Sequence, residues 1–136
     1  MHDGSAVGFE LAAIDHVQLS MPPGEEERGR AFYGGVLGMT EMPKPPVLAA
    51  RGGAWFASGS VQLHLGVEAD FRPAKKAHPA VRVEGIDALA ALIESRGVTV
   101  RWDDELPGYK RFYVDDPWGN RLELLEPEND GRPRQP

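Results

Sequence analysis

Alternating apolar and polar positions mark the first half of the chain as strands interrupted by one helix. Residues 14–21 (IDHVQLSM) alternate at the two-residue period of a half-buried strand. Residues 22–39 then show the proline-rich entry, acidic first turn and glycine-rich exit of a helix. Two strand-like runs follow, VLAARGGAWFAS and VQLHLGVE, separated by small turn residues. The pattern predicts a strand, a helix and then several strands.

The second half of the chain repeats this order. Residues 78–83 (HPAVRV) are typical of a strand, residues 85–98 of an amphipathic helix, and VTVRWDDE, RFYVDD and RLELLEP of further strands. Gly38 and Gly97, which end the two helices, are 59 positions apart, so a repeat of about 60 residues is indicated. We predict an N-terminal segment (1–13), a first module (14–68), a linker (69–77), a second module (78–127) and a polar tail (128–136).

Composition and charge narrow the classes of function. With 136 residues, 41% of them hydrophobic, the chain can bury one sizeable core, and its net charge of −6 disfavours nucleic acid as a partner. It has no cysteine, so any metal must be held by histidine, carboxylate or water. No signal-peptide pattern occurs, and no apolar run approaches the ~20 residues of a membrane span. We expect a soluble, cytoplasmic protein with no membrane partner.

Four ligand-type side chains occupy equivalent positions in the two halves. His16 and His78 lie in the first predicted strand of each half, and His64 and Glu123 in the last. Both His64 and Glu123 stand between leucines, so they face away from the apolar side of their strands. A sheet could fold such a set around one cation.

A structural interpretation of the same residues stays open. The histidines can be unrelated sheet residues, with Glu123 paired to Arg111 or Arg121. In that case the carboxylate needs other partners for its charge, because a buried charge without a partner is costly.

The sequence resembles the vicinal oxygen chelate superfamily, which includes glyoxalase I, fosfomycin and bleomycin resistance proteins, methylmalonyl-CoA epimerase and extradiol dioxygenases. The resemblance implies an α+β fold in which two tandem βαβββ modules form a U-shaped mixed sheet around a metal site. It also implies a homodimer that can build the site from both chains. The segments that carry it are IDHVQL, AFYGGVLGM, HPAVRVEGIDALAALIESRGVTV and RFYVDDPWGNRLELLEP.

Carried over by position, the resemblance implies His16, His78 and Glu123 as metal ligands. The last strand of the first module carries glutamate in glyoxalase I and glutamine in the epimerase, whereas this chain carries His64. That departure argues against glyoxalase I itself. With His64 included, the ligand set is three imidazoles and one carboxylate.

This ligand set suits one divalent ion of zinc, iron, nickel, cobalt or manganese. A six-coordinate ion would keep two positions for a small oxygen-rich substrate and act as a Lewis acid, with Glu123 as the catalytic proton carrier that the resemblance implies. Lyase, isomerase or epimerase chemistry is therefore favoured. An extradiol dioxygenase with Fe(II) needs a third open position, which His64 would fill. The other alternative is a metal-free ligand-binding dimer like the bleomycin resistance proteins.

Candidate substrate-binding residues lie near the predicted ligands. Arg82 shares the strand parity of His78, and Arg72 precedes that strand. Tyr109 lies in a Pro-Gly loop, and Arg111 follows it. The arginines could receive a carboxylate or phosphate, so we expect a small and anionic substrate. The acids of DDPWGN (115–120) are predicted to belong to a turn rather than to the chemistry.

Overall fold

The computed structural model describes residues 8–128, which form two four-stranded mixed sheets. The strands of the first sheet are β1 (Val17–Met21), β2 (Thr40–Met42), β3 (Ala54–Ser58) and β4 (Val61–Val67). Their order is β1-β4-β3-β2, with β1 parallel to β4 and the other pairs antiparallel. Residues 1–7 of the predicted N-terminal segment and residues 129–136 of the predicted polar tail lie outside the described residues.

The helical connection from β1 to β2 changes type along its length. It begins as the short helix α1 (Glu26–Gly29) and continues as a π-helical segment (Arg30–Val36). The N–H of Leu37 bonds the carbonyl of Phe32 at 2.9 Å, which is the five-residue spacing of a π-helix. A single turn, α2 (Pro46–Ala49), then precedes β3.

The second sheet repeats the first. Its elements are β5 (Ala80–Arg82), α3 (Ile86–Ser95), β6 (Arg101–Asp103), β7 (Tyr109–Asp115) and β8 (Arg121–Pro127). The strand order β5-β8-β7-β6 matches that of the first sheet, and β5 is parallel to β8. The prediction of an α+β fold with two βαβββ-like modules is therefore confirmed.

Both modules share one core. Alternation along β4 places Leu63 and Leu65 in it, and the helical connection adds Phe32 and Tyr33. The second module contributes further buried residues to the same cluster: Ile86, Ala90, Ile93, Phe112, Val114, Leu122 and Leu124. No helix among the described residues has the length and apolar character to cross a membrane.

Asp116, in the turn between β7 and β8, ties the modules together. Its carboxylate is buried, accepts the hydroxyl of Tyr33 at 2.8 Å, and also accepts the side-chain amide of Asn120 at 2.8 Å. Asn120 in turn donates to the carbonyl of Ser20 on β1 at 2.9 Å. Burial, followed by the nearby Asp116 carboxylate, raises the pKa of Tyr33 well above its usual range, so its hydroxyl stays a donor. The acidic turn thus has the structural position that its sequence predicted.

Candidate functional site

The four predicted metal ligands lie in two pairs, one on each module. In the first module the rings of His16 and His64 stack with centroids 4.1 Å apart. In the second, Nε2 of His78 lies 3.0 Å from Oε1 of Glu123. Within residues 8–128, no three or more histidine, aspartate or glutamate side chains are grouped closely enough to hold an ion. A single chain therefore presents two half-sets of ligands.

Parallel pairing of the first and last strands produces each pair. His16 immediately precedes β1, whose residues align with those of β4 such that Gln18 lies beside His64. His78 precedes β5, where Ala80 lies beside Glu123. Strands β1 and β5 are shorter than predicted, so both histidines stand just outside the regular strand.

His78 has its ring orientation fixed by the backbone. Its Nδ1 lies 3.1 Å from the carbonyl of Lys75 and 2.9 Å from that of Lys76, both of which can only accept. In the neutral ring, Nε2 then carries the lone pair and faces Glu123. Nε2 of His78 and Oε1 of Glu123 are then both acceptors. At a separation of 3.0 Å, they need a proton or a cation between them.

The same pair of atoms suits a shared ion. An imidazole nitrogen and a carboxylate oxygen that face each other are donor types that a divalent ion would take. The backbone carbonyls behind His78 are the outer partners that metal-binding imidazoles usually have. The donor set of this pair therefore fits a divalent cation.

Glu123 is 6% exposed and has a second partner. Its Oε2 accepts Arg111 at 3.2 Å, and Nε of Arg111 donates to Asp103 at 3.0 Å. The backbone N–H of Glu105, followed by the Arg111 guanidinium, lowers the pKa of Asp103, which keeps that carboxylate charged. Arg111 thus lies between two carboxylates, as the structural interpretation of Glu123 anticipated.

His16 presents Nε2 in the same way as His78. Its Nδ1 donates to the Asp15 carboxylate at 2.9 Å, which leaves Nε2 as the lone-pair nitrogen of the neutral ring. The side chain is 41% exposed, so part of it can be reached from outside the chain.

His64 differs from the other two histidines. Its ring is sandwiched between His16 and Trp55, with centroids 4.4 Å apart on the Trp55 side. Its Nε2 donates to the side-chain carbonyl of Gln62 at 3.3 Å. Burial, followed by the positive charge that His16 can carry, lowers the pKa of His64, so the ring is neutral at neutral pH. Packing is its most evident role in the single chain.

A cleft of about 790 Å³ lies between β1 and β5. Three of the predicted site residues line it: His16, His78 and Arg82. Arg82 therefore stands where a negatively charged part of a ligand in this cleft could reach it.

The remaining predicted substrate-binding residues lie elsewhere. Tyr109 and Arg111 line a smaller depression beside Asp103 on the second sheet. Arg72 is exposed in the linker and does not line the cleft between β1 and β5. The structure thus joins Arg82, but neither Arg72 nor Tyr109, to the first-strand histidines.

Two parts of the site were not anticipated from the sequence. One is Asp103 as the outer partner of Arg111, and the other is a second pocket beside His64 that contains Lys44, Arg51 and Trp55. Pairing of Trp55 with His64 follows from the β3–β4 hairpin, because the turn at Gly59 puts them directly opposite. That register was the available signal, since the turn residues were visible in the sequence.

Comparisons with known proteins agree on the family. A family model for the glyoxalase/bleomycin resistance protein/dioxygenase superfamily matches residues 13–124. The chain is similar to the crystal structure of a glyoxalase family protein from Bacillus anthracis, with 48% identity and a TM-score of 0.86 over 88% of this chain and 98% of that one. A search of functionally curated proteins gave no match.

More distant structures show the same fold. An antibiotic binding protein from a Streptomyces species, TnmS3, has 26% identity and a TM-score of 0.67, covering 87% of this chain and 100% of that one. The fosfomycin resistance protein FosX from Listeria monocytogenes has 14% identity and a TM-score of 0.70, covering 91% and 100%. Both a binding protein and a resistance protein are thus built on this scaffold.

Proposed function

Since the chain belongs to the glyoxalase/bleomycin resistance protein/dioxygenase superfamily, we propose that it is a divalent-metal-dependent enzyme of the glyoxalase-like type. Its ligands are His16, His78 and Glu123, with His64 as the fourth. The substrate is a small, oxygen-rich and anionic molecule, and the reaction is of the lyase, isomerase or epimerase class. The ion is one of zinc, iron, nickel, cobalt or manganese.

The observation that carries this proposal is the matched presentation of two imidazoles. In both His16 and His78, Nδ1 is held by an oxygen acceptor and Nε2 is left to bind. In His78 that nitrogen already lies 3.0 Å from a buried carboxylate oxygen of Glu123. Structural histidines have no need to share this orientation, whereas metal ligands usually do.

A homodimer would bring the separate pairs together. The His16 and His64 pair of one chain would meet the His78 and Glu123 pair of its partner. Two-fold symmetry of the dimer would then form two equivalent sites. The partial exposure of the His16 side chain supports this proposal, because a ligand residue must be reachable by the group that completes its site.

When bound, the metal supplies Lewis acidity to adjacent substrate oxygens. Glu123 then acts as the proton carrier through Oε1, while Arg111 holds Oε2 and keeps the carboxylate oriented. Arg82, in the cleft with both first-strand histidines, receives the negative end of the substrate. Burial of Glu123 keeps bulk water away from the proton that it carries.

A second candidate is a metal-free ligand-binding dimer. It is favoured by the contacts of Glu123, because Arg111 and a protonated His78 together can satisfy the carboxylate without an ion. The similarity to an antibiotic binding protein also supports it. An extradiol-type dioxygenase with Fe(II) is the third candidate, and the packed position of His64 supports it by leaving one more coordination position open.

Elemental analysis of protein purified without chelator tests these candidates. We expect about one divalent ion per chain, lost in H78A and in E123Q because each removes a ligand. R101Q, on the exposed surface of β6, is the matched control and should keep the ion. Absence of metal from the unmodified chain and the control alike would favour the binding protein. Catechol-dependent oxygen uptake by the iron form would favour the dioxygenase.

A further inference from the structure

A second pocket, of about 570 Å³, lies on the polar face of the first sheet next to α2. We name it the α2 pocket. Its wall is formed by the loop that carries α2 and its floor by β1, β3 and β4. Its lining includes Asp15, Lys44, Leu48, Arg51, Trp55 and His64.

The charge of this pocket is positive. Lys44 donates to the carbonyl of Gly52, which is neutral, and its ammonium lies 5.8 Å above the ring of Trp55. The guanidinium of Arg51 forms no hydrogen bond or ion pair with any residue of the 8–128 range. The acid that lines the pocket, Asp15, is bonded to His16. Lys44 and Arg51 therefore bring two positive charges to the cavity, and the one carboxylate that lines it, Asp15, is already paired with His16.

One further acid, Glu26, lies close enough to Lys44 to interact with its charge. Glu26 accepts the backbone N–H of Gly53 at 2.9 Å, and that bond, more than Lys44, lowers its pKa. Glu26 is not among the residues that line the pocket. Arg51 thus keeps an uncompensated charge, which favours a negatively charged ligand.

The floor of the pocket contains a stack of three aromatic rings. Trp55, His64 and His16 stack in parallel, with 13° between successive planes. Leu48 and the edges of the stacked rings are apolar, so a small aromatic body can pack against them while its charged end reaches the cations.

We propose that the α2 pocket binds the oxyanion, a carboxylate or phosphate, of a small planar molecule through Lys44 and Arg51. The anion site is separate from Arg82, which lines the cleft on the other side of His16. The identification of this molecule as the substrate rests on the proposed function, because His16 lines both cavities and would place the far end of the molecule at the metal.

Calorimetric titration in 0.15 M salt tests the anion site directly. The probes are benzoate and phenylphosphonate, which carry the two oxyanions on the same ring, and benzamide as the uncharged counterpart. We expect one or both anions to bind and benzamide not to bind. K44Q and R51Q should each weaken anion binding about tenfold, since each removes a charged hydrogen-bond donor. R51K should restore it, and R101Q, which removes the same charge from β6, should leave it unchanged.

The inference is overturned if neither anion binds, if benzamide binds equally well, or if R101Q loses as much affinity as R51Q. It is also overturned if K44Q and R51Q, shown by circular dichroism to be folded, bind as well as the unmodified chain. Metal content measured on the same samples separates the two proposals. A metal-free chain that keeps this pattern of anion binding contradicts the proposed enzyme and leaves the α2 pocket standing.

Discussion

Glu123 divides its two carboxylate oxygens between two unlike partners, an imidazole and a guanidinium. The sequence repeat predicted that Glu123 is a ligand-type residue and that it faces away from the apolar side of its strand. The sequence could not show whether a metal or Arg111 is the partner of Glu123, because that depends on the β7–β8 register. This register places Tyr113 beside Glu123, with Arg111 two residues away on the same face of β7.

Substitution of Arg111 tests whether it holds Glu123. In chelator-treated protein at pH 7, we expect R111Q to lower the free energy of unfolding in urea by about 3 kcal/mol, because it leaves a buried carboxylate short of a partner. In an E123Q background the same change should cost less, since that variant has no charge to satisfy. An equal cost in both backgrounds would show that the two side chains do not interact.

At the scale of elements, the alternation predicted the long strands and the amphipathic periodicity predicted α3. The π-helical segment was not predicted, since the sequence pattern marks a helix but not its hydrogen-bond spacing. Phe32 and Tyr33, which are adjacent in this segment, are both buried. Their burial depends on tertiary packing and on the hydrogen bond of Tyr33 to Asp116, neither of which a local sequence pattern shows. The single turn α2 was also missed, because four residues show no helical period.

Glu126, on β8, caps the N-terminus of α3. Its carboxylate accepts the N–H groups of Gly85 and Ile86, each at 3.0 Å, and the Ile86 bond, followed by the Gly85 bond, lowers its pKa. A carboxylate whose pKa is lower in the folded than in the unfolded chain stabilises the fold at pH values above the unfolded-state pKa, which is about 4.3. This stabilisation is lost as the pH falls through the folded-state pKa. We therefore expect the E126Q melting temperature to be below that of the unmodified chain at pH 7, with the gap closing below pH 4. A gap that stays constant down to pH 3 would contradict this assignment.

Gly53 lies where the backbone after α2 passes close to β4. Its φ is +83°, and a Cβ there would lie 2.1 Å from the carbonyl oxygen of Leu65. We expect G53A to cost more than about 2 kcal/mol of unfolding free energy in urea, since backbone must move. Gly59 also has positive φ but has nothing within 4 Å of such a Cβ, so G59A carries only the backbone strain. Equal costs for G53A and G59A would exclude the clash as the cause.

At the scale of the molecule, the sequence identified the repeat and the four ligand-type residues that it relates. It could not show whether they converge, because convergence depends on how the modules of one chain, or of two chains, are arranged. Within residues 8–128 they remain two pairs. Residues 1–7 and 129–136 had no predicted part in the site.

Mixing of chains tests the proposed shared site. The double variant H16A/H64A lacks the first-module pair, and H78A/E123Q lacks the second. Each alone should bind no metal, whereas their differently tagged, co-expressed heterodimer should bind about one ion, because one of its two sites has both pairs intact. The unmodified dimer, with about two ions, is the reference. A heterodimer without metal would show that the pairs do not meet across chains.

The contact of Asp116 with Tyr33, together with the Asn120 bond to β1, has a consequence for folding. The chain reads as a duplication, yet its two halves share one core and a buried polar junction. Separating the halves would expose apolar surface and leave that junction unsatisfied. The repeat therefore unfolds as one cooperative unit, and neither half is an autonomous domain.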